Sequence, residues 1–405
     1  MNLISLSFLK KLTEYTFYTA LFLLPFSIAG MEIFFIISFS SFYLYKAFSR
    51  EPICENQKFF LVLSLLVFSS SVSAFYSGYP QDSLKGILKM VRYCNIIFVS
   101  MWLFRDQVKI NKLFKILIVS FSLVLLDCVV QHITSKDPVN QFLVHYTFPD
   151  IRLTGPYKFY GLLAAHLLAM LPILFSAVFY EKNTTGKVNV KFVISLLVFT
   201  LGVYMLYKTK SRGAWLAGVG GWIVFGALLR NKWVFIILLL MAVSAPVILP
   251  RYSIIHEDIE KKEQSLRERY QLWRRAVQVI EKRPLFGCGI NTYVQNYPKY
   301  DEKKHWRVPG YYAHNGYLQL AAETGLISLV LFLWILLMAL KSGYKKYRTA
   351  PDNEKIFIAA LLSAFAALLI QAISDTTLHN VQSGVIIWFY IGLLMALGQN
   401  KAARS

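Results

Sequence analysis

Seven histidines are spread over the chain, and one of them, His314, stands where a long hydrophilic stretch ends and an apolar run begins. Asn315, Gln319 and Glu323 follow at four-residue spacing, so a helix starting here carries a polar stripe down one face. Two basic groups accompany it. Lys208, Lys210 and Arg212 crowd the short Lys-Thr-Lys-Ser-Arg turn, and Arg267, Arg269, Arg274 and Arg275 lie within nine residues of the hydrophilic stretch. Asp375 and His379 occupy a polar break between the last two apolar runs. An imidazole with an ordinary pKa of about 6.5 can take a proton from a hydroxyl at neutral pH. A guanidinium offers a planar fork matched to phosphate oxygens and keeps its charge, so two or three of them can bind a diphosphate and stabilise it as a leaving group. Together these groups suit transfer of a glycosyl unit from a lipid diphosphate to a hydroxyl.

The elements that must position them are set by composition. Of 405 residues, 56% are hydrophobic and 16% aromatic, and the mean hydropathy is +0.48; a soluble domain could not hide that much apolar surface. The expected fold class is all-α, a polytopic membrane protein. A bilayer core of roughly 30 Å needs about 20 apolar residues per helix. That rule predicts twelve spans, at about 13–29, 32–48, 59–78, 86–104, 113–133, 159–180, 192–208, 213–229, 233–250, 317–340, 356–374 and 382–398. The resulting organisation is nine transmembrane helices over 1–250, an outer loop over 251–316, and three more helices with a short cytoplasmic tail over 317–405. The run after Lys10 and Lys11 has no cleavage-site pattern and reads as a start-transfer helix.

A formal charge of +21 would suggest nucleic acid in a soluble protein, but the cations are broken into clusters between apolar runs, with no nucleic-acid motif. Anionic membrane lipids and a phosphorylated substrate fit better. Short connections around Lys46, Arg105, Lys187, Arg230 and Lys345 place one side in the cytoplasm by the positive-inside rule. The turn at 209–212 then falls outside against that preference, which is a reason to expect an anionic partner there. Lys85, Lys89 and Arg92 form a stripe at the start of the fourth span. Charges at that depth are costly, so they are expected to face a cavity or a partner. Arg152 in an outer turn and Asp127 within the fifth span are further polar candidates.

Within the outer loop, Leu266, Tyr270, Trp273, Val277 and Ile280 recur at helical spacing over 260–283, ahead of Pro284 and a Gly287-Cys-Gly289 turn. This amphipathic helix should lie at the membrane interface or over the bundle. Cys54, Cys94, Cys128 and Cys288 are scattered without disulfide or zinc spacing. The sequence has no G-x-x-x-x-G-K-[ST], H-E-x-x-H or G-x-S-x-G motif. A reaction without metal or nucleotide cofactor is therefore expected, with the activation energy carried by the donor.

Three motifs carry a resemblance: Thr209 to Gly213; Ser265 to Tyr270, continuing through Trp273 to the Pro284–Gly289 run; and His314 to Gln319 with Glu323 to Gly325. In these the chain resembles the bacterial O-antigen ligase family, within a superfamily that includes Wzy-type polymerases and protein O-oligosaccharyltransferases. The resemblance implies a multi-pass protein of the bacterial inner membrane with its active site facing the periplasm. It also implies an undecaprenyl-diphosphate-linked glycan donor, a lipid A core acceptor, no cofactor and no nucleic-acid partner. His314 matches the family's catalytic His and Arg212 the Arg of the short outer turn. Arg269 matches the loop Arg, with Arg267 as the competing choice. Lys89 and Arg92 could supply the basic residues of the N-terminal half. Lys210, Arg267, Lys89, Arg92, Asn315, Gln319 and Asp375 are expected to bind substrate. A polymerase, a protein-directed transferase and, from another class, a lipid-linked glycan flippase are the alternatives.

Overall fold

The computed structural model describes residues 3–135, 152–185, 190–230, 258–300 and 312–399. Among them are thirteen α-helices and no strand, as the hydropathy pattern requires, since a backbone in lipid must satisfy its own polar groups. In chain order these are α1 (Leu3–Leu23), α2 (Ile28–Ser49), α3 (Gln57–Phe75), α4 (Pro80–Leu103), α5 (Gln107–Thr134), α6 (Tyr160–Thr185), α7 (Val190–Lys208) and α8 (Arg212–Leu229). After them come α9 (Asp258–Lys282), the short α10 (Tyr293–Asn296), α11 (Gly316–Thr349), α12 (Asp352–Ser374) and α13 (Val381–Gln399). Nine of the described helices are long and apolar enough to cross a membrane, and Phe192–Lys208 is a shorter apolar helix. The predicted span at 233–250 lies outside the described residues.

One predicted span differs from its helix. The segment expected at about 13–29 is divided: α1 starts at Leu3 and stops at Leu23, ahead of Pro25, which cannot donate to a helical ladder. Ser27 then caps α2, its hydroxyl accepting from the Gly30 amide at 3.0 Å. The two helices form a hairpin joined by hydroxyls, with Thr13 and Ser41 at 2.9 Å and Ser38 donating to the Thr13 carbonyl at 3.0 Å.

The centre of the bundle is α13, in which every residue from Gln382 to Leu397 is buried. It packs on α4 and α11, while α12 packs on α6 and α8 and α3 packs on α11. Lipid is as apolar as the helix sides, so close packing drives these contacts. Gly392 lets the backbone of α13 rest on Ile97 and Ser100 of α4. Outward-facing Phe68, Leu197, Leu216 and Trp334 are exposed, as expected of lipid-facing positions.

The connections sort onto two ends. At one end, Leu153 donates its amide to the Lys208 carbonyl and Gly316 to the Asp375 carbonyl, the Gln382 amide nitrogen reaches Leu24, and Arg283 reaches the carbonyl of Tyr76. The turns after α1, α3, α7 and α12 therefore gather with His314. The opposite end collects Lys46 with Glu51, Lys109 and Lys112 with Glu14, Arg105 with Glu55 and Lys346 with Glu354. The 209–212 turn lies at the His314 end, where the hydropathy threading put it.

Candidate active site

His314 stands two residues before the start of α11 and has a left-handed backbone, φ 48°. Asn315 caps the helix, its side-chain oxygen accepting the amides of Tyr317 and Leu318, each at 3.0 Å. That cap occupies the Asn315 oxygen, so the residue predicted to bind substrate holds the helix start. The imidazole of His314 is 36% exposed, and its Nδ1 lies 3.9 Å from Oδ1 of Asp375. This separation is an approach, longer than a hydrogen bond. The Asp375 carboxylate also accepts the Thr376 amide at 2.7 Å.

Arg212 opens α8 and is exposed. Behind it, the indole of Trp215 stacks on Tyr207 at 5.4 Å and donates to the Leu206 carbonyl at 3.1 Å, which folds α7 and α8 back on each other. Lys210 takes the left-handed conformation in the turn, φ 53°. Gly213 lies directly against the hydroxyl of Ser374, the residue before Asp375. Arg212 thus precedes the glycine that packs on the turn carrying Asp375.

The helix over 260–283 is present as α9 and lies over the bundle, packed on α11. Leu272, Ala276 and Val279 are its buried face. The Trp273 indole donates to the His314 carbonyl at 3.4 Å. At about 100° per residue, Arg269 shares the face of Trp273 and Ala276, while Arg267 falls on the opposite side. Arg267 is exposed and Arg269 partly buried. Helical phase therefore puts Arg269 on the bundle-facing side of α9 and Arg267 on the outer side. His256, His305 and most of the Lys299–Arg307 stretch lie outside the described residues.

The glycine-rich run after Pro284 packs backbone to backbone on α11. Gly325 breaks the helix with φ 83° and ψ 170°, which frees carbonyls one turn earlier. The amides of Cys288 and Gly289 take up the Ala322 and Glu323 carbonyls, both at 2.9 Å, and the Leu326 amide reaches the Pro284 carbonyl at 2.8 Å. A Cβ on Gly325 would strike the Leu285 carbonyl, and one on Gly287 would strike the backbone of Glu323. The two motifs are the two halves of one contact.

Below this contact is a polar cluster of which the sequence showed the Gln319 and Glu323 stripe but not the partners. The Glu323 carboxylate is buried and accepts from the amides of Asn291 at 2.9 Å and Tyr293 at 3.3 Å and from Gln319 at 3.2 Å. His379 Nδ1 lies 3.9 Å from it, and the Tyr312 ring sits 4.5 Å from the His379 ring. Burial, with the nearby Lys89 charge second, holds His379 well below the ordinary histidine pKa. Lys89, Asn291, Gln319, Glu323 and His379 border a cavity of about 70 Å³ with Met90, Tyr93, Ile290 and Leu378. The four-residue spacing of Asn315, Gln319 and Glu323 was the available signal for it.

The stripe of Lys85, Lys89 and Arg92 does not act as one surface. Lys85 is exposed and pairs with Asp82 at 3.1 Å. Lys89 donates to the His379 carbonyl, and Arg92 pairs with Glu32 of α2 while stacking over Tyr93. Arg92, predicted to bind substrate, does not line the cavity that Lys89 lines. Arg152 is exposed and stacks on Tyr160 at 4.9 Å.

The family model described as O-antigen ligase matches residues 196–333. Over these residues the chain is similar to O-antigen ligases. No curated protein matches the chain significantly. The matched region holds Lys210, Arg212, Arg267, Arg269, Trp273, His314, Asn315, Gln319, Glu323 and Gly325. Lys89, Asp375 and His379 come from outside it. The candidate site thus draws on the matched region together with α4 and the 375–380 turn.

Proposed function

We propose that this protein moves a glycan from undecaprenyl diphosphate to a hydroxyl of the lipid A core oligosaccharide, at the periplasmic face of the bacterial inner membrane. The observation that carries the reading is the His314 imidazole beside Asp375, at the end of the bundle where Arg212 and Arg269 also stand. His314 removes the proton of the acceptor hydroxyl as its oxygen attacks the anomeric carbon in line. The new carbon–oxygen bond forms as the bond to the diphosphate breaks, and the diphosphate leaves with the electron pair. Arg212 and Arg269 hold that developing charge with their forked donors, and Lys210 adds to the field. Attack opposite the leaving group inverts the anomeric carbon. Asp375 orients the imidazole so that Nε2 faces the hydroxyl. No nucleotide is needed, because the diphosphate linkage already holds the driving force, and the arginines take the part a metal would play on the leaving group.

The test is transfer by purified protein in lipid nanodiscs supplied with lipid-linked glycan, with and without lipid A core. Core-linked product of inverted configuration, formed equally in a chelator, is the expected result. Elongation of the lipid-linked glycan without core would make the protein a polymerase. Glycan movement across the bilayer that survives His314→Ala, with no transfer by the unaltered protein, would make it a transporter.

A further inference from the structure

The 70 Å³ cavity lined by Lys89, Gln319, Glu323 and His379 is far below the roughly 300–1,000 Å³ of ligand pockets. That volume has room for a few waters and not for a sugar ring or diphosphate. Its polar groups are also directed at the protein. We propose that Lys89, Gln319, Glu323 and His379 form a positioning lock that fixes the approach to His314 and the turn carrying Asp375, in place of the substrate-binding role that Lys89 and Gln319 would otherwise be given. The proposal rests on His314 being the base.

Three N–H donors converge on Glu323, so the position needs a group that only accepts. A carboxylate meets that need, and an amide of the same size would set a donor against a donor. With its nitrogen committed to Glu323, the Gln319 side chain must turn its oxygen the other way, where it accepts the amide of Ala313 at 3.4 Å. Ala313 directly precedes His314, so Glu323 acts through Gln319 on the backbone that presents the base. The same carboxylate holds the Asn291 amide, and the Asn291 side chain reaches the Asp82 carbonyl of α4 at 3.1 Å. The 375–380 turn is tied at both ends: Gly316 donates to the Asp375 carbonyl at 3.1 Å, and Lys89 donates to the His379 carbonyl. Lys89 and Glu323 face one another electrostatically across the cavity, so the lock joins α4, α11, the glycine-rich run and the turn.

Full-length variants assayed in nanodiscs for kcat and donor KM test this. Glu323→Gln is expected to lower kcat by about 10-fold or more while donor KM stays within about twofold, since an error on the order of 1 Å in placing a reacting group is enough for such losses. Glu323→Asp, an acceptor of the wrong length, should retain more activity than the better-sized Gln variant; a role in packing alone predicts the reverse order. Lys89→Gln, which can still donate to the His379 carbonyl, should keep more kcat than Lys89→Met. Should Glu323→Gln not yield monodisperse protein, the Lys89 pair decides by itself. Wild-type kcat in Glu323→Gln or Lys89→Met overturns the lock, as does a raised donor KM with intact kcat in the Lys89 variants, which would make Lys89 a diphosphate ligand. His314→Ala is the separate control. Full transfer there removes the base assignment, and the lock with it, whereas an inactive His314→Ala beside unaffected lock variants refutes the lock alone.

Discussion

Asp375 Oδ1 approaches Nδ1 of His314 to 3.9 Å, and the two residues are tied by backbone as well, the amide of Gly316 donating to the Asp375 carbonyl at 3.1 Å. A carboxylate on Nδ1 selects the tautomer in which Nε2 is the free base and stabilises the imidazolium that forms on proton transfer. Asp375→Asn keeps the shape and can offer a donor to Nδ1, which favours the wrong tautomer. Its kcat should fall roughly 10- to 1,000-fold with little change in donor KM, and Asp375→Glu should fall less. Initial rates at saturating donor measure this. A wild-type kcat in the Asn variant would detach Asp375 from the reaction.

The two loop arginines differ in helical phase, and activity should follow. Arg269 lies on the side of α9 that brings Trp273 to the His314 carbonyl at 3.4 Å, whereas Arg267 is exposed on the far side. Arg269→Ala should lower kcat/KM for the lipid-linked donor by about 100-fold, the loss of a forked ionic contact to phosphate, with Arg269→Lys only partly restoring it. Arg267→Ala should stay within about threefold. The opposite ranking would move the diphosphate to the outer face of α9.

The difference between those arginines shows what the sequence could and could not tell. Both stand two residues apart in one motif, and only the placement of Trp273, Ala276 and Val279 against the bundle sets the phase. The polar stripe at Asn315, Gln319 and Glu323 was legible from its spacing, because a helix repeats every 3.6 residues whatever surrounds it. Its roles were not. The partners of Glu323 are amides about thirty residues earlier in the chain, brought there by a loop whose path no local rule describes. Lys85, Lys89 and Arg92 share a helical spacing, yet their partners come from α4, the 375–380 turn and α2. The spans were legible because a bilayer demands length and hydropathy. The first was misplaced because Pro25 and the Ser27 cap divide an apolar run that hydropathy treats as continuous.

Gly325→Ala should damage folding more than its size suggests. The residue takes φ 83° within α11, and a Cβ there would meet the Leu285 carbonyl and come within 2.6 Å of the Phe286 nitrogen. Left-handed strain and a backbone collision together should cost about 2 kcal/mol or more. Gly78→Ala is the matched control, since a Cβ there meets nothing within 4 Å. Thermal unfolding of detergent-solubilised protein should show a clear drop in midpoint for the first variant and none for the second. Equal midpoints would mean that the glycine-rich run can leave α11 without penalty.

Acid should destabilise the protein through His379. Burial, with Lys89 second, depresses its pKa well below the ordinary value, which is about 6.5 in an unfolded chain. The folded state therefore holds His379 neutral while the unfolded state gains a proton as the pH falls past about 6.5. The stability carried by the neutral imidazole is complete above that pH. It is lost at up to about 1.4 kcal/mol per pH unit on acidification, until the depressed folded pKa is reached. Carboxylates add their own slope, so the measurement is a difference between proteins. Between pH 6.5 and 5 the unfolding midpoint of the wild type should fall more steeply than that of His379→Gln, which cannot take up the proton, while above pH 7 the two curves should run parallel. Parallel curves across the whole range would show that His379 accepts a proton in the folded state as readily as in water, and that the cluster around Glu323 is open to solvent.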